Sequence, residues 1–308
     1  MISPEFKWPL RLIPDTPVKR WNIPLVRRLM AAVAPRGIAK GVQVREHVAG
    51  TLRLRVYTPE GVQGRAAPTG ALLWIHGGGY VLGQPRQNDL KCSGIARDLG
   101  IVVASVYYRR APEHPFPAAL DDCYAGWQWL QSQARVLNVD PARVAVGGES
   151  AGGGLAACVV QRIHDAGGTQ PACQLLDSPM LDDRTAARRE LDHPRHPLWN
   201  NESNYTGWSL YLGQEPGSAS APPYSVAARR VDLSGLPPAW IGVGTPDLFL
   251  TEDREYARRL RAAGVSCQFD EIAGAVHGFD SVLPGAALSR QFGQLQRDFL
   301  RKYIGAVD

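Results

Sequence analysis

The sequence predicts an α/β fold in which a mostly parallel central sheet is flanked by helices. Short apolar runs recur along the chain, and segments with apolar residues at helical spacing lie between them. Continuous apolar runs are typical of strands buried on both faces, as in a parallel sheet. Their alternation with helices predicts a doubly wound sheet whose ligand crevice lies at the carboxyl ends of the strands. The predicted buried strands are residues 71–75, 101–108, 143–147, 174–176, 239–244 and 266–272.

A hairpin precedes these strands. Residues 51–57, TLRLRVY, alternate apolar and polar with a period of two, and residues 42–44 lie before a turn at Gly50. This pattern predicts two antiparallel strands. Helices are predicted where apolar residues recur at steps of three and four, at residues 116–137, 150–166, 252–263 and 288–303.

Two segments do not follow the alternation of strands and helices. Residues 1–41 contain a short amphipathic helix around residues 24–34, and residues 182–230 are rich in Pro, Trp, Asn and Ser. A long excursion between two buried strands indicates a lid rather than a loose loop. The chain is therefore predicted to form one main domain, residues 42–308, interrupted by an insertion at about 182–230.

Composition argues against several classes of protein. The formal net charge is +5, but the arginines occur as dispersed pairs interleaved with acidic residues, which predicts a solvated surface and no nucleic-acid partner. No stretch approaches the roughly 18 apolar residues of a membrane span, and the first residues lack the apolar run of a signal peptide. We therefore expect a cytoplasmic protein without a membrane span. The five cysteines show no CxxC spacing, so neither a disulfide framework nor a metal site is expected.

Two glycine-rich motifs follow predicted strands. Residues 147–153, GGESAGG, join a strand to a helix and match the G-x-S-x-G turn that exposes the serine Oγ, here that of Ser150, above a sheet. Residues 76–79, HGGG, follow the strand at 71–75, and their backbone N–H groups could stabilise an oxyanion. A phosphate cradle is disfavoured because the loop lacks the GK[ST] ending. His76 is predicted to brace this loop.

A serine nucleophile needs a histidine base that a carboxylate orients. His277 follows the last predicted strand, where the other histidines are not found, and Asp247 follows the strand before it. Glu252 and Asp253 begin the next helix and fit the charges that favour a helix N-terminus. The order Ser150, Asp247, His277 is that of the α/β-hydrolases.

These motifs resemble those of the bacterial hormone-sensitive lipase-like esterases, a branch of the α/β-hydrolase fold. The resemblance covers the chain from about residue 40, and one departure is Glu149, where many members have aspartate. The matching segments are HGGGYVLG at 76–83, YRRAPEHPFPAALDD at 108–122, GGESAGGGLA at 147–156, SPMLDDR at 178–184, LSGLPPAWIGVGTPDLF at 233–249 and HGFD at 277–280.

The resemblance implies a serine carboxylesterase that hydrolyses short-chain esters through an acyl-enzyme on Ser150, with Asp247 and His277 completing a catalytic triad. It implies an oxyanion hole made by the N–H groups of Gly78, Gly79 and Ala151. No cofactor or metal is needed, and the partner is a small-molecule ester. In this family the cap is built from segments that here correspond to residues 1–41 and about 182–230, and dimers often form through the edge strand, here residues 266–272.

Two alternatives remain open from the sequence. The same machinery serves amidases and peptidases, because the triad and oxyanion hole act on both bonds. The fold also serves as a non-catalytic binding module, as in the gibberellin receptors, which lack the catalytic histidine, whereas His277 is present here. Candidates for lining the substrate pockets, each of which could equally pack in the core, are Trp8, Trp21, Tyr80, Trp199, Tyr205, Trp208 and Phe279.

Overall fold

The computed structural model describes residues 1–13, 16–33, 37–194 and 196–306. Over these residues, one eight-stranded sheet forms the centre of the molecule and ten α-helices surround it. The strands are β1 Val42–Ala49, β2 Leu52–Pro59, β3 Thr69–Ile75, β4 Val102–Val106, β5 Val139–Glu149, β6 Gln174–Asp177, β7 Ala239–Gly244 and β8 Cys267–Ile272.

The sheet is mixed but mostly parallel. Its strand order is β1-β2-β4-β3-β5-β6-β7-β8, with β1 and β2 antiparallel to each other and β2 antiparallel to β4. Every other neighbouring pair is parallel. The loops after β3, β5, β7 and β8 therefore meet at one edge of the sheet, which confirms the predicted fold class.

The helices flank the sheet on both sides. They are α1 Pro4–Arg11, α2 Ile23–Val33, α3 Asp89–Leu99, α4 Ala118–Ser132, α5 Ala151–Ala166, α6 Asp183–Ala187, α7 Asn201–Leu212, α8 Leu250–Ala262, α9 Phe279–Val282 and α10 Ala287–Ile304.

Most predicted elements are found with shifted ends. The hairpin turns at Gly50, which has a φ of 62°. The helix predicted over residues 116–137 covers only α4, because Pro117 precedes its first turn and turns follow Ser132. Helix α3 is absent from the predicted elements, although its buried apolar residues Cys92, Ile95, Ala96 and Leu99 recur at steps of three and four. Ala34, the end of the amphipathic helix predicted around residues 24–34, lies outside the described residues.

Strand β3 shows why the sheet has an apolar core on each face. All its residues are buried, with Leu73 and Ile75 in the core on one face and Leu72 and Trp74 in the core on the other. Successive side chains of a strand point to opposite faces, so a strand covered on both sides must be apolar throughout. The rigid sheet thereby fixes the positions of the loops at its carboxyl edge.

One close contact joins the start of α5 to the end of β3. A Cβ atom added at Gly152 would lie 2.1 Å from the carbonyl oxygen of Ile75 and 2.4 Å from that of His76. Both atoms belong to the backbone and cannot move aside as a flexible side chain would. Gly94, which also lies inside a helix, would place its Cβ in open space.

We expect Gly152→Ala to lower the free energy of unfolding by about 1–3 kcal/mol or more, because overpacking a core usually costs this much. Gly94→Ala, the matched control, should raise it by about 0.5–1 kcal/mol, because alanine loses less backbone entropy in a helix. Urea unfolding followed by circular dichroism measures both changes. Equal stability of the two variants would contradict the described contact.

Candidate active site

Ser150 sits at a sharp turn between β5 and α5. Its backbone has φ 54° and ψ −123°, a conformation that costs a non-glycine residue about 1–3 kcal/mol. Gly148 and Gly152 make this turn possible, because a Cβ added at Gly148 would lie 2.3 Å from the carbonyl oxygen of Gly152. The motif thus needs glycines on both sides of the serine, because a larger residue there would clash with the backbone.

Backbone hydrogen bonds hold the turn in this conformation. The Ser150 N–H donates to the carbonyl oxygen of Asp177 at 2.8 Å, and the Ser150 carbonyl accepts from Met180 at 2.9 Å and from Gly154 at 3.0 Å. Two of these bonds tie the serine to the end of β6 and the residues that follow. The neighbouring strand therefore offsets part of the strain at Ser150.

The side chains of Ser150, His277 and Asp247 form one continuous hydrogen-bonded chain. His277 Nε2 lies 2.8 Å from Ser150 Oγ, and His277 Nδ1 lies 2.8 Å from Asp247 Oδ2. The histidine belongs to the loop between β8 and α9, and the aspartate to the loop after β7. All three residues predicted for this site from the sequence are brought together.

The Asp247 carboxylate is oriented by its own loop. Its side chain is fully buried, and Oδ1 accepts a hydrogen bond from the N–H of Phe249 at 3.0 Å. The other carboxylate oxygen, Oδ2, faces His277. The Phe249 ring also packs edge-on against the imidazole, with centroids 5.1 Å apart, which restricts rotation of the histidine ring.

The electrostatic environment favours the imidazolium form of His277. Burial opposes a charge on the ring, but the charge and hydrogen bond of Asp247, with smaller contributions from Asp177 and Glu149, raise its pKa above the usual value. A proton taken from Ser150 would therefore be held more firmly than by a histidine in water.

The glycine loop after β3 packs against the serine turn. A Cβ added at Gly77 would lie 3.2 Å from Ser150 Cβ, while Gly78 and Gly79 adopt φ values of 118° and 58°. Trp199 from the insertion covers Gly79 so closely that a Cβ there would lie 2.0 Å from the ring. Gly78 and Gly79 therefore have no room for a side chain. Ala151, the third predicted member of the oxyanion hole, is the first residue of α5.

His76 braces this loop. Its ring is buried, stacks on Tyr108 with centroids 4.2 Å apart, and places Nδ1 2.8 Å from the carbonyl oxygen of Gly77. Burial lowers its pKa to about 3, so the ring is neutral at physiological pH. A neutral ring with a bonded nitrogen supports the loop and leaves no charge beside the serine.

A buried ion cluster behind the serine was not predicted from the sequence. Lys91 Nζ lies 2.7 Å from Asp177, 2.8 Å from Asp280 and 3.2 Å from Glu149. These carboxylates belong to the end of β6, the first turn of α9 and the residue before Ser150. One ammonium group thus connects the segments that carry the serine and the histidine.

Burial and neighbouring groups shift the pKa values of the carboxyl groups in this cluster. Burial raises the pKa of Asp177 to about 7 despite the attraction of Lys91, and Gln296 donates a hydrogen bond to the same carboxylate at 3.0 Å. Burial also disfavours the charge on Glu149, but Lys91 and a hydrogen bond from Asn88 hold its pKa below the usual value. The longer side chain of glutamate, compared with the aspartate of many family members, is accommodated by these two partners.

Glu252 and Asp253 lie at the start of a helix, as predicted. Both lie in the first turn of α8 but are buried. Glu252 Oε1 accepts hydrogen bonds from the N–H groups of Leu181 and Asp182 at 2.7 and 3.1 Å. Burial raises the pKa values of both carboxyl groups well above their usual range.

The predicted pocket aromatics occupy different environments. Trp8 and Trp21 are 67% and 77% exposed. Tyr80, Trp208 and Phe279 are fully packed in the interior, with Phe279 against Phe6 at 5.6 Å. Trp199 lies directly against Gly79 of the glycine loop.

Three further features concern metal binding, membrane-spanning helices and the state of the cysteines. Within the residues that the structure describes, no cluster of three or more His, Cys, Asp or Glu side chains could hold a metal ion. None of the described helices is both long and apolar enough to cross a membrane. All five cysteines are free thiols, and four of them are buried.

Known proteins share the sequence and the architecture of this chain. A family model described as "alpha/beta hydrolase fold" matches residues 72–281. The chain is similar to the carboxylesterase NlhH of Mycobacterium tuberculosis, with 32% identity over 93% of this chain and 92% of that protein. It is 34% identical to the ethyl acetate hydrolase of Pseudomonas putida over 74% of this chain and 71% of that protein.

Solved structures give the same result. The structure titled "Bacterial Heroin Esterase" superposes with a TM-score of 0.88 at 34% identity, covering 99% of this chain and 98% of that one. Esterase LipW from Mycobacterium marinum superposes with a TM-score of 0.81 at 34% identity over 98% and 96% of the two chains. With the bonded serine, histidine and aspartate at the carboxyl edge of its sheet, this chain belongs to the hormone-sensitive lipase-like branch of the α/β-hydrolase family and is a carboxylic ester hydrolase.

Proposed function

We propose that Ser150, His277 and Asp247 form the catalytic triad and hydrolyse short-chain carboxylic esters through an acyl-enzyme on Ser150. The observation that carries this proposal is the pair of 2.8 Å contacts that places one imidazole between the serine hydroxyl and the buried carboxylate. This is the arrangement that converts a weakly nucleophilic hydroxyl into an effective one.

Acylation begins when Ser150 Oγ attacks the ester carbonyl carbon. His277 Nε2 accepts the hydroxyl proton, and the carbonyl oxygen becomes an oxyanion. The N–H groups of Gly78, Gly79 and Ala151 are proposed to donate hydrogen bonds to that oxyanion. Collapse of the tetrahedral intermediate breaks the ester bond, and His277 returns the proton to the leaving alcohol.

Deacylation repeats these steps with water. His277 takes a proton from the attacking water molecule, the second tetrahedral intermediate forms, and Ser150 leaves with the proton to release the acid. Asp247 accepts a hydrogen bond from the Nδ1–H of His277 throughout, which leaves Nε2 free to act as the base. Its negative charge stabilises the imidazolium that forms in both halves of the reaction.

A restricted site supports the preference for short acyl chains. Ser150 is only 8% exposed, and Trp199 packs directly over Gly79. We propose that residues 1–41 and about 182–230 form the cap that limits access, since α2 bonds to Val81 through Arg27 and Trp199 belongs to the insertion. The printed name of the Pseudomonas putida relative, an ethyl acetate hydrolase, refers to a small ester.

The protein is further proposed to be cytoplasmic and to form a homodimer through β8. Five free cysteines fit a reducing compartment. Strand β8 bonds only to β7 in the described sheet and leaves its other edge open to pairing. Sedimentation velocity of the purified protein measures the oligomeric state, and a monomer at all concentrations would reject the dimer.

We expect Ser150→Ala to fold normally and to lose at least about 10⁴-fold in kcat/KM, because the loss of a triad nucleophile leaves only the oxyanion hole and substrate binding. Hydrolysis of p-nitrophenyl esters from acetate to palmitate measures this loss, and wild-type activity should peak at short chains. Ser105→Ala is the matched control, since Ser105 is buried in β4 and its Oγ has no partner among the described residues. Full activity in Ser150→Ala would reject the proposed nucleophile.

The dependence of kcat/KM on pH follows from the environment of His277. The base must be neutral, so kcat/KM falls as the pH drops through the pKa of this histidine. Because Asp247 raises that pKa, we expect the acid limb to have its midpoint above about 6.5, the usual value for histidine. Asp247→Asn should shift the midpoint down. A wild-type midpoint below about 6.5 would contradict the described electrostatics.

A further inference from the structure

The net charge of the protein is concentrated at its N-terminus. Residues 1–41 contain eight Lys and Arg against two acidic residues, a formal charge of +6. Residues 42–308 contain 26 basic and 27 acidic residues, a formal charge of −1. The net positive charge of the whole chain therefore comes from this short segment.

The same segment exposes large apolar side chains. Of the eleven large hydrophobic residues that are exposed in the described part of the chain, seven lie within the first 38 residues. These are Met1, Trp8, Leu12, Trp21, Leu25, Leu29 and Ile38. Scattered exposed hydrophobics are ordinary on a protein surface, but such a concentration marks an interaction surface.

Helix α1 places both kinds of side chain on its outer face. Phe6 and Leu10 are buried against the main domain. The exposed face carries Trp8, with Lys7 beside it, and Arg11, which precedes the exposed Leu12. Apolar residues on this face thus alternate with cations rather than with neutral polar residues.

Helix α2 repeats the pattern. Ile23 faces the core, whereas Leu25 and Leu29, four residues apart, share an exposed face with Arg28. Trp21 extends this face before the first turn, next to the exposed Arg20. Exposed Trp and Leu with flanking Lys and Arg are the features of a helix that lies in a membrane interface.

Both helices lie beside the candidate active site. The backbone N–H of Ser3, just before α1, donates to the carbonyl oxygen of Gly274 in the loop that carries His277. In α2, Arg27 donates to the carbonyl oxygen of Val81, two residues beyond the HGGG motif. Both segments are therefore bonded to loops that belong to the candidate active site.

We propose that the outer face of α2 and the residues just before it, which we call the N-terminal basic surface, dock on a bilayer that contains anionic phospholipid. This surface consists of Arg20, Trp21, Leu25, Arg28 and Leu29. The exposed cations attract the anionic headgroups, and the Trp and Leu side chains enter the boundary between headgroups and acyl chains. The association is peripheral, and it does not depend on the proposed catalytic roles.

Lipid fits this surface better than nucleic acid does. Phosphates of either partner would attract the cations, and aromatic rings can stack on bases. Leu25 and Leu29, however, gain nothing from a phosphate backbone and gain free energy when they leave water for acyl chains. The apolar side chains of the surface therefore favour lipid over nucleic acid.

Cosedimentation with sucrose-loaded vesicles tests the proposal. The intact protein should bind vesicles of phosphatidylcholine with about 30% phosphatidylglycerol and bind pure phosphatidylcholine at least about tenfold more weakly, because each interfacial cation contributes about fivefold to partitioning. Arg20→Gln/Arg28→Gln should weaken binding to the mixed vesicles at least about tenfold, and Leu25→Ser/Leu29→Ser should weaken it similarly. Circular dichroism confirms that each variant is folded.

Arg135→Gln/Val136→Ser is the matched control, because Arg135 and Val136 form an exposed basic and apolar pair outside the N-terminal segment. This variant should bind like the wild type. No binding to mixed vesicles, equal binding to both vesicle types, or an equal loss in the control would overturn the proposal. Retention of a DNA duplex without vesicle binding would assign the charge to nucleic acid and also overturn it.

Discussion

The strained backbone of Ser150 is the constraint on which the rest of the site depends. A serine with φ 54° cannot hold this conformation alone, and three kinds of contact maintain it. Glycines on either side leave room for the turn, and the glycine loop after β3 packs against the serine Cβ. The backbone of Ser150 donates a hydrogen bond to Asp177 at the end of β6 and accepts one from Met180. Parallel strands bring these segments to one edge of the sheet. Their contacts there maintain the strained backbone of the serine turn.

Behind the turn, Lys91 extends this constraint to the histidine. Its three carboxylate partners come from the residue before Ser150, from the end of β6 and from the helix after His277. Removing one member of a buried ion cluster leaves an uncompensated charge, so such clusters resist relative movement of the segments that they join. The cluster thus fixes the segments of Ser150 and His277 relative to each other, while Asp247 orients the imidazole through a hydrogen bond.

Much of the fold and the three bonded side chains could be predicted from the sequence, because local signals carry them. Buried strands appear as apolar runs, and Ser150, Asp247 and His277 each follow such a run. Lys91 was missed because nothing local marks a lysine that three distant carboxylates surround, and helix α3 was missed although its buried residues recur at helical spacing. Glu252 and Asp253 begin a helix as predicted, but no local signal shows their burial, which for Glu252 comes from the segment after β6.

The catalytic assignment of Ser150 is tested most directly by covalent labelling with a p-nitrophenyl phosphonate. We expect one phosphonyl group to add per chain and one p-nitrophenolate to be released, and we expect peptide mapping by mass spectrometry to place the group on Ser150. Labelling should slow as the pH falls, because His277 must be neutral to accept the hydroxyl proton. A label on another residue, or no label under conditions in which the protein hydrolyses esters, would contradict the assignment.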